Sequence, residues 1–392
     1  MDARSPRRVP GSRTVGVLVA VLAVATALLA VPSGAVADDP PAEAPPSVAV
    51  VEAPVVSGTA RFGSTLTVSD GTWDPADVTL ERQWLRDGLP VPGETAATYR
   101  PRADDVEHQV SVRTIARAVP SGGEGAATPS PAVVESVPVT VGRALIVSRA
   151  RPEVTGTRRY GSTLTASPGR WSVGGLTFRY RWYRDREPVA GATRRTYTIT
   201  PSDVGHRLAV RVTASRADHR TEWAASLSTG VVKHRRDVRR TVTYSVRRNG
   251  STASLSTFRQ QAAQTLADAR GWRGAGVRFR EVASGGSFTL VLAKASRVPS
   301  YSSACSATYS CRVGRNVVIN ETRWNTATPV WRKADRSLRD YRHMVVNHEV
   351  GHFLGKGHAR CPGKGRLAPV MQQQSKGLQG CRANPWPLVK EL

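Results

Sequence analysis

Short stretches in the middle of the chain alternate apolar and polar residues with a period of two. Examples are "STLTVS", "RYRWYRD" and "RLAVRVTAS", and Gly, Pro and Asp residues separate such stretches. This alternation predicts half-buried β-strands joined by turns. The pattern also recurs, because "GTARFGSTLTVSDGTW" (residues 58–73) returns as "GTRRYGSTLTASPGRW" (residues 156–171). Two such copies are typical of tandem β-sandwich units of about 90–100 residues.

Aromatic residues and histidines occupy equivalent positions in the two copies. Trp84 matches Trp182, and we predict that both are core residues, with sugar stacking at a surface as the alternative. His108 matches His206 without a nearby ligand pattern, so both are predicted to be structural. The copies resemble the cysteine-free immunoglobulin-like repeats of bacterial surface proteins. Their predicted bounds are residues 47–118 and 146–230, with Pro/Gly/Ser-rich linkers at 38–46 and 119–145.

The pattern changes after the basic run "KHRRDVRR", which we interpret as a solvated linker over residues 231–240. The segments "TVTYSV", "VRFREV", "FTLVLA" and "NVVINE" predict strands, whereas "STASLSTFRQQAAQTLADARGW" predicts a capped amphipathic helix. On that helix, Leu255, Phe258, Ala262 and Leu266 share one face. A long second helix is predicted from about Asp335. Residues 241–392 are therefore predicted to form an α+β domain.

The amino terminus predicts export. Four arginines precede an uncharged apolar run (residues 15–31), and Ala35 and Ala37 occupy the small-residue positions of a cleavage site. This pattern is typical of a secretory signal peptide over residues 1–37, with an uncleaved membrane anchor as the alternative. We therefore expect a secreted or cell-surface protein with no membrane contact unless the signal segment is retained.

Charge changes this picture little. Lys and Arg together number 56 against 30 Asp and Glu, which gives a formal net charge of +26. Such a balance raises the hypothesis of a nucleic acid or another polyanion as partner. However, the arginines are scattered along the chain and are not clustered with aromatic residues on one element. We interpret the charge as a basic surface and expect no nucleic-acid partner.

The cysteines fit an exported chain. Cys305 lies near Cys311, and Cys361 lies near Cys381. In an oxidising compartment, local pairing within each couple is the simplest of the three connectivities that four cysteines allow. A structural zinc site built from the four thiolates is the alternative, but their spacing does not match such sites.

The stretch "NHEVGHFLGKGH" (residues 347–358) carries the candidate chemistry. His348 and His352 are four residues apart on a helix, so both imidazoles can reach one ion, and Glu349 projects beside them. Gly355 can adopt the left-handed conformation that ends a helix and reverses the chain, which would return His358 to the same point. Three imidazoles would leave a fourth position open for water, as in catalytic zinc sites, where bound water ionises near pH 7.

A short His-Glu-x-x-His match occurs by accident in unrelated helices. The form found here fixes five positions, His-Glu-x-x-His-x-x-Gly-x-x-His, and it follows an apolar helical stripe. That stripe consists of Leu338, Tyr341 and Val345, and it continues into His348 and His352 at spacings of three and four residues. The sequence therefore predicts a zinc site at the carboxyl end of this helix.

The stretch is the signature of the metzincin zinc peptidases, and "RLAPVMQQQ" supplies Met371 for their methionine turn. This resemblance implies that His348, His352 and His358 bind Zn²⁺, that Glu349 is the general base, and that Met371 forms a hydrophobic floor. The domain is also similar to an uncharacterised family of secreted actinobacterial proteins. That similarity rests on "GWRGAGVRFREVASG", "NVVINETRW", "NPWP" and the segment from "YRHMVV" to "GLQGC".

The chain departs from better-known metzincins at three positions. Ala359 follows the third histidine without a polar side chain, and Gln373 stands where some metzincins place a tyrosine ligand. Cys361 lies three residues past His358, where a thiolate could occupy the open metal position. A disulfide from Cys361 to Cys381, which would clamp the loop that holds Met371, is the other interpretation.

The predicted chain is thus multidomain: two all-β immunoglobulin-like sandwiches followed by an α+β metzincin-like zinc peptidase domain. The first hypothesis for function is a secreted endopeptidase in which zinc-activated water, with Glu349 as general base, hydrolyses peptide bonds in a protein or peptide substrate. The strand "NVVINE", or the segment before it around Cys305 to Cys311, is expected to offer an edge to that substrate. The alternative is a surface protein whose repeats bind a cell-wall polymer or a partner and whose last domain is inactive.

Overall fold

The computed structural model describes residues 47–120 and 129–392. The predicted signal peptide (1–37), the first linker (38–46) and residues 121–128 of the second linker lie outside these ranges. Among the described residues, no helix combines the length and the apolar character needed to cross a membrane. The described chain is organised as two all-β units followed by an α+β unit.

The first unit is built from antiparallel strands. They are β1 (Ala49–Glu52), β2 (Val56–Gly58), β3 (Leu66–Val68), β4 (Thr72–Asp74), β5 (Val78–Arg86), β6 (Leu89–Pro90), β7 (Thr98–Tyr99), β8 (Gln109–Ala118), β9 (Ala132–Glu135) and β10 (Val139–Thr140). One sheet has the order β10-β8-β5-β6, with β9 also paired to β8, and a second has the order β2-β3-β7. Trp84 is fully buried between them and stacks on Tyr99, with ring centroids 5.1 Å apart.

The second unit repeats this arrangement. Its strands are β11 (Ala144–Leu145), β12 (Ser148–Ala150), β13 (Val154–Thr155), β14 (Thr163–Ala166), β15 (Arg170–Trp171), β16 (Thr177–Arg184), β17 (Glu187–Pro188), β18 (Thr196–Thr198), β19 (Leu208–Ser215), β20 (His219–Arg220) and β21 (Glu222–Ala225). The sheets β17-β16-β19-β21 and β13-β14-β18 enclose a core around Trp182, which is fully buried. The predicted core role of both tryptophans is confirmed.

The linkers in the structure are shorter than the sequence predicts. β9 and β10 pair with β8, so residues 132–140 belong to the first unit and not to the linker 119–145. Val232 is buried in the second core, and the Lys233 amide donates to the Arg158 carbonyl at 2.8 Å. Part of the linker 231–240 therefore belongs to the second unit. These closing segments are short and lie among Pro, Gly and charged residues, so their alternation was too brief to indicate a strand.

A buried carboxylate accepts several hydrogen bonds in the second unit. Asp203 accepts hydrogen bonds from the Tyr197 hydroxyl (2.8 Å), the Thr200 amide (2.6 Å) and Arg184 Nε (2.9 Å). Burial alone would raise the pKa of Asp203, but these hydrogen bonds outweigh it and lower the pKa below 3.8. Asp105 contacts Tyr99 and Arg102 in the same way in the first unit.

We expect Asp203→Asn to lower the free energy of unfolding of this unit by about 2–4 kcal/mol, because it removes the charge from a buried hydrogen-bonded pair. Since the folded-state pKa lies below the unfolded one, this contribution is complete above the unfolded pKa and is lost as the pH falls through the folded pKa. Urea unfolding from pH 7 to pH 3 measures it. Asp104→Asn, at an exposed position, should change stability by less than about 0.5 kcal/mol. A difference for Asp203→Asn that stays constant down to pH 3 would contradict this assignment.

The third unit is a mixed sheet with helices. Its strands are β22 (Arg240–Asn249), β23 (Val277–Glu281), β24 (Phe288–Ala293), β25 (Cys311–Val313) and β26 (Asn316–Asn320), and its helices are α1 (Leu255–Ala267), α2 (Glu321–Thr326), α3 (Pro329–Lys333) and α4 (Leu338–Phe353). The strand order is β23-β22-β24-β26-β25. All neighbouring strands are parallel except β25, which pairs antiparallel with β26 at one edge. The predicted strands and both predicted helices are confirmed.

The two faces of this sheet are covered differently. Leu290 and Leu292 of β24 lie in the main core with α1 and α4, whereas Val291 and Ala293 face a smaller core that contains Cys305. This division follows from the alternation of side chains along a strand. Helix α4 therefore lies across one face of the sheet, with its carboxyl end near the β25 edge, and this placement positions the site described next.

Candidate metal centre

Helix α4 ends one residue after the second histidine of the motif. Gly355 follows in the left-handed conformation, with φ +85°. The Lys356 amide donates to the Gly351 carbonyl (2.9 Å) and the Gly355 amide donates to the His352 carbonyl (3.1 Å), a pairing that closes many helices. The chain then reverses, and His358 returns to the end of the helix. This is the turn that the sequence predicts for Gly355.

Three imidazole rings converge at this point. His352 Nε2 lies 3.2 Å from His348 Nε2 and 3.1 Å from His358 Nε2. The Nδ1 atom of His348 lies 2.8 Å from the Val370 carbonyl oxygen, and that of His352 lies 2.8 Å from the Lys356 carbonyl oxygen. A carbonyl accepts a hydrogen bond only from a protonated Nδ1, so the Nε2 lone pairs of His348 and His352 are left for an ion.

The donor set fits a zinc ion. Burial lowers the pKa of His348 to about 3 and also lowers the pKa values of His352 and His358, so the neutral, ligating form of each ring is favoured. Ligand nitrogens about 2.0–2.1 Å from a tetrahedral zinc would be separated by about 3.3 Å, close to the spacing of these nitrogens. Three imidazoles also leave one coordination position for water or substrate, which distinguishes catalytic from structural zinc sites.

Glu349 lies beside the imidazoles and faces the same cleft. It is 6% exposed, and burial raises its pKa to about 8. A carboxyl with such a pKa is a competent proton acceptor and donor near neutral pH. A divalent cation held by the three imidazoles would favour its ionised form. Both properties suit a group that takes up a proton and then releases it.

Met371 packs beneath the end of α4. A Cβ atom placed on Gly351 would lie 2.3 Å from the Met371 sulfur and 2.8 Å from Cζ2 of Trp272. At Gly351 the methionine and the tryptophan therefore approach the helix backbone too closely for a side chain to fit without a shift. The Trp272 indole also donates to the Asn347 carbonyl at 2.9 Å. Met371 and Trp272 therefore pack against the last turns of α4, and the floor that the resemblance implies for Met371 stays a prediction.

We expect Gly351→Ala to lower the free energy of unfolding by about 1–3 kcal/mol, because the added methyl group overlaps two buried side chains. The gain of about 1 kcal/mol from alanine's helix propensity offsets only part of this loss. Thermal unfolding of the full chain is the measurement. Gly357→Ala is the matched control, since no atom lies within 4 Å of its new methyl group. A Gly351→Ala protein as stable as Gly357→Ala would show that the floor is not tightly packed.

A buried carboxylate holds the segment that contains Met371. Glu391 accepts hydrogen bonds from the backbone amides of Val370 (3.0 Å) and Met371 (2.9 Å). The Val370 carbonyl accepts from His348, and the Met371 carbonyl accepts from the Ala359 amide at 3.0 Å. Glu391 thus acts on two of the three histidine positions through one short segment. The Ala359 amide also ties down the loop after His358 without needing a polar side chain.

Both predicted disulfides are confirmed. Cys305 pairs with Cys311, and Cys361 pairs with Cys381. The second bridge closes the loop that carries Met371, which matches its predicted role. Because the Cys361 sulfur is bonded to Cys381, it cannot serve as a thiolate ligand at the open metal position, and that alternative is excluded for this structure. Disulfides are typical of proteins outside the cytoplasm.

An open cleft of about 570 Å³ leads to the imidazoles. One wall is the disulfide-closed loop and edge strand β25, which contribute Tyr309 and Arg312. The opposite wall follows Met371 and contributes Gln373 and Lys376. The three histidines and Glu349 lie between the walls. The cleft is therefore a candidate binding site whose lining includes the three histidines and Glu349.

Sequence reasoning missed Gly351, Trp272 and Glu391 as members of this site. A glycine inside a helix, where it costs about 1 kcal/mol relative to alanine, was a usable signal for close packing at Gly351. Nothing in the sequence near Glu391 indicates its partners, which lie 20 and 21 residues away. His108 and His206 lie outside the site and pair with Asp87 and Asp185, so their predicted structural role agrees with their contacts.

One family model overlaps most of the third unit and the end of the second. A family described as "Protein of unknown function (DUF3152)" matches residues 224–388, a range that includes the three histidines, Glu349 and Met371. No curated protein matches the chain.

Several solved structures share weak similarity with the chain. Three N-terminal domains of the bacteriophage RB49 highly immunogenic outer capsid protein are 15% identical, with a TM-score of 0.21; the match covers 50% of this chain and 65% of that one. Tandem Ig repeats of Dlar are 15% identical, with a TM-score of 0.15 and coverage of 46% and 95%. An ICAM-5 ectodomain fragment is 15% identical, with a TM-score of 0.23 and coverage of 46% and 53%. Strand pairing within the chain defines the two all-β units.

Proposed function

We propose that this protein is a secreted zinc-dependent endopeptidase of the metzincin type. The observation that carries the proposal is the convergence of His348, His352 and His358, two of them oriented by backbone carbonyls, beside the buried Glu349. A structural zinc site does not need an adjacent buried carboxyl group or an open cleft. A hydrolytic site needs both, because a proton must be moved and a substrate must enter.

A zinc ion at the three imidazoles would supply Lewis acidity toward water and toward the substrate carbonyl. Glu349 would accept a proton from the attacking water and donate it to the leaving amine nitrogen. Met371, Trp272 and Glu391 would keep the rings and the helix end in place during this exchange. Rigid support of this kind is required because small displacements of reacting groups slow catalysis strongly.

The substrate would lie along β25. This strand pairs with β26 on one side and forms the sheet edge beside the cleft, so its other side can pair with an extended peptide. The predicted edge was "NVVINE" or the segment around Cys305 to Cys311. "NVVINE" forms the inner strand β26, and the edge strand β25 begins at Cys311, where the second predicted segment ends.

Extracellular action is supported by the sequence and the disulfides together. The signal-peptide pattern predicts export, and both bridges lie on segments that build the cleft or hold the methionine turn. In a reducing compartment these two loops would lose their covalent closure. We therefore place the proposed activity outside the cytoplasm.

The test is hydrolysis of an unbiased peptide library by the full mature chain, with and without a chelator, followed by zinc re-addition. We expect internal peptide bonds to be cut, the chelator to abolish cleavage, and zinc to restore it. Cleavage that persists without metal would overturn the mechanism. Zinc binding without cleavage of any peptide would favour the alternative, a binding protein. Its surface includes Trp223, which is 55% exposed with the Arg211 guanidinium 5.4 Å from its ring centroid.

A further inference from the structure

The charged side chains that line the cleft are mainly cationic. Three cationic side chains line it, Arg312, Lys356 and Lys376, against the single carboxyl group of Glu349. Glu349 lies at the base beside the imidazoles, whereas Arg312 and Lys376 are exposed on the two walls. Any peptide that enters must therefore pass between two cations before it reaches the reacting groups.

Lys376 is available to a ligand. Its ammonium lies 5.7 Å from the ring centroid of Tyr309, which lines the opposite wall of the cleft. Ion pairs of the described third unit join other residues: Arg259 with Glu281, Arg270 with Asp268, and Arg336 with Asp340. The Lys376 ammonium is therefore available to an anionic group in the cleft.

Arg312 occupies the opposite wall. It lies in the middle of β25, directly across from Val317 of β26, and its side chain is exposed at the cleft. A peptide that pairs with β25 would bring its own side chains beside this guanidinium. Lys356 differs from both because its side chain is half-buried, with its ammonium 5.7 Å from the centroid of the Trp272 ring.

We propose that this cleft selects peptides with aspartate or glutamate side chains on both sides of the scissile bond, and that Lys376 and Arg312 determine this preference. The inference rests on the proposed peptidase function, because it specifies the substrate class of the same site. Carboxylates are favoured since an arginine fork and a lysine ammonium both form strong hydrogen bonds with them. Basic side chains are disfavoured by the same charges.

The test uses an acid scan of one cleavable peptide, in which Asp or Glu replaces Asn or Gln one position at a time. We expect each of two favourable positions to raise kcat/KM about tenfold over the neutral isostere. Lys376→Gln should remove the gain at one position and Arg312→Gln the gain at the other. Lys376→Glu should shift the preference at its position toward Lys-containing peptides. Both gains should shrink in high salt, because exposed charges are screened.

Lys333→Gln is the matched control, since Lys333 is exposed on α3 and does not line the cleft. It removes the same unit of charge from a strongly basic protein, so it separates a local preference from general attraction. Equal gains in Lys333→Gln and Lys376→Gln, or equal kcat/KM for acidic and neutral peptides, would overturn the proposal while leaving the peptidase function intact.

A binding measurement keeps the two proposals distinguishable. Fluorescence anisotropy of labelled acidic and neutral peptides with zinc-loaded Glu349→Gln reports cleft preference without turnover. We expect the acidic peptide to bind about ten- to a hundredfold more tightly, and Lys376→Gln in that background to reduce the ratio. A preserved binding preference in a wild-type protein that cuts no peptide would reject the peptidase function alone. Equal binding of the two peptides would reject the acidic preference.

Discussion

Glu349→Gln is expected to retain zinc and to lose peptide hydrolysis by a factor of about 10²–10⁴ or more. Glutamine has nearly the shape of glutamate, so the packing of α4 and the three imidazole positions should be preserved. The amide cannot accept the proton that the proposed mechanism transfers from water to the carboxylate. Burial raises the pKa of Glu349 to about 8, so this carboxyl group can accept and release a proton near neutral pH, as the proposed mechanism requires.

The measurement combines zinc content by elemental analysis with kcat/KM for one library-derived peptide. Glu281→Gln is the matched control: it makes the same chemical change at the end of β23, where the carboxylate pairs with Arg259 outside the cleft. That variant should retain both zinc and activity. Wild-type hydrolysis by Glu349→Gln would end the proposed mechanism.

His352→Ala is expected to lose both zinc and hydrolysis. His352 would be the central ligand of the proposed zinc site, since its Nε2 lies within 3.2 Å of those of His348 and His358. Loss of a hydrogen bond to a metal ligand already costs about 10–100-fold in affinity or activity, so removal of the ligand itself should weaken zinc binding by at least about a hundredfold.

Calorimetric titration measures the zinc affinity of the variant, and circular dichroism shows whether the variant is folded. His206→Ala, which removes an exposed imidazole paired with Asp185 in the second unit, should bind zinc as the wild type does. Circular dichroism should show that His352→Ala remains folded, because the ring is only half-buried. A stoichiometric, tightly bound zinc in His352→Ala would place the metal elsewhere.

Much of the third unit follows from its sequence. The apolar runs at residues 288–293 and 316–320 are buried on both faces, as parallel strands inside a covered sheet usually are. Helix α1 begins after Ser254, whose side chain caps the Thr257 amide, and it buries Phe258 and Leu266 as its periodicity predicts. These features are local in sequence, so pattern alone identifies them.

The same distinction between local and long-range contacts applies to the candidate site. The spacing of His348, His352 and His358 is set by one helix and one turn, and the sequence therefore predicts their convergence. The support given by Glu391 and the packing of Met371 on Gly351 depend on contacts between segments that are distant along the chain. The closing strands β9 and β10 were missed for a similar reason, because pairing with β8 and not intrinsic pattern makes them strands.

The hydrogen bonds from His348 and His352 to the Val370 and Lys356 carbonyls have a consequence for metal supply. Backbone carbonyls orient two of the three proposed ligands, and the Cys361–Cys381 bridge closes the segment that contains Met371, so we expect the domain to fold without the ion. Zinc fingers behave differently, since they unfold without their metal. We expect this protein to fold and to be exported without a bound metal ion. It should then bind zinc from its surroundings, and cobalt should replace that zinc without refolding. Its activity in the environment would then be governed by the free zinc concentration there.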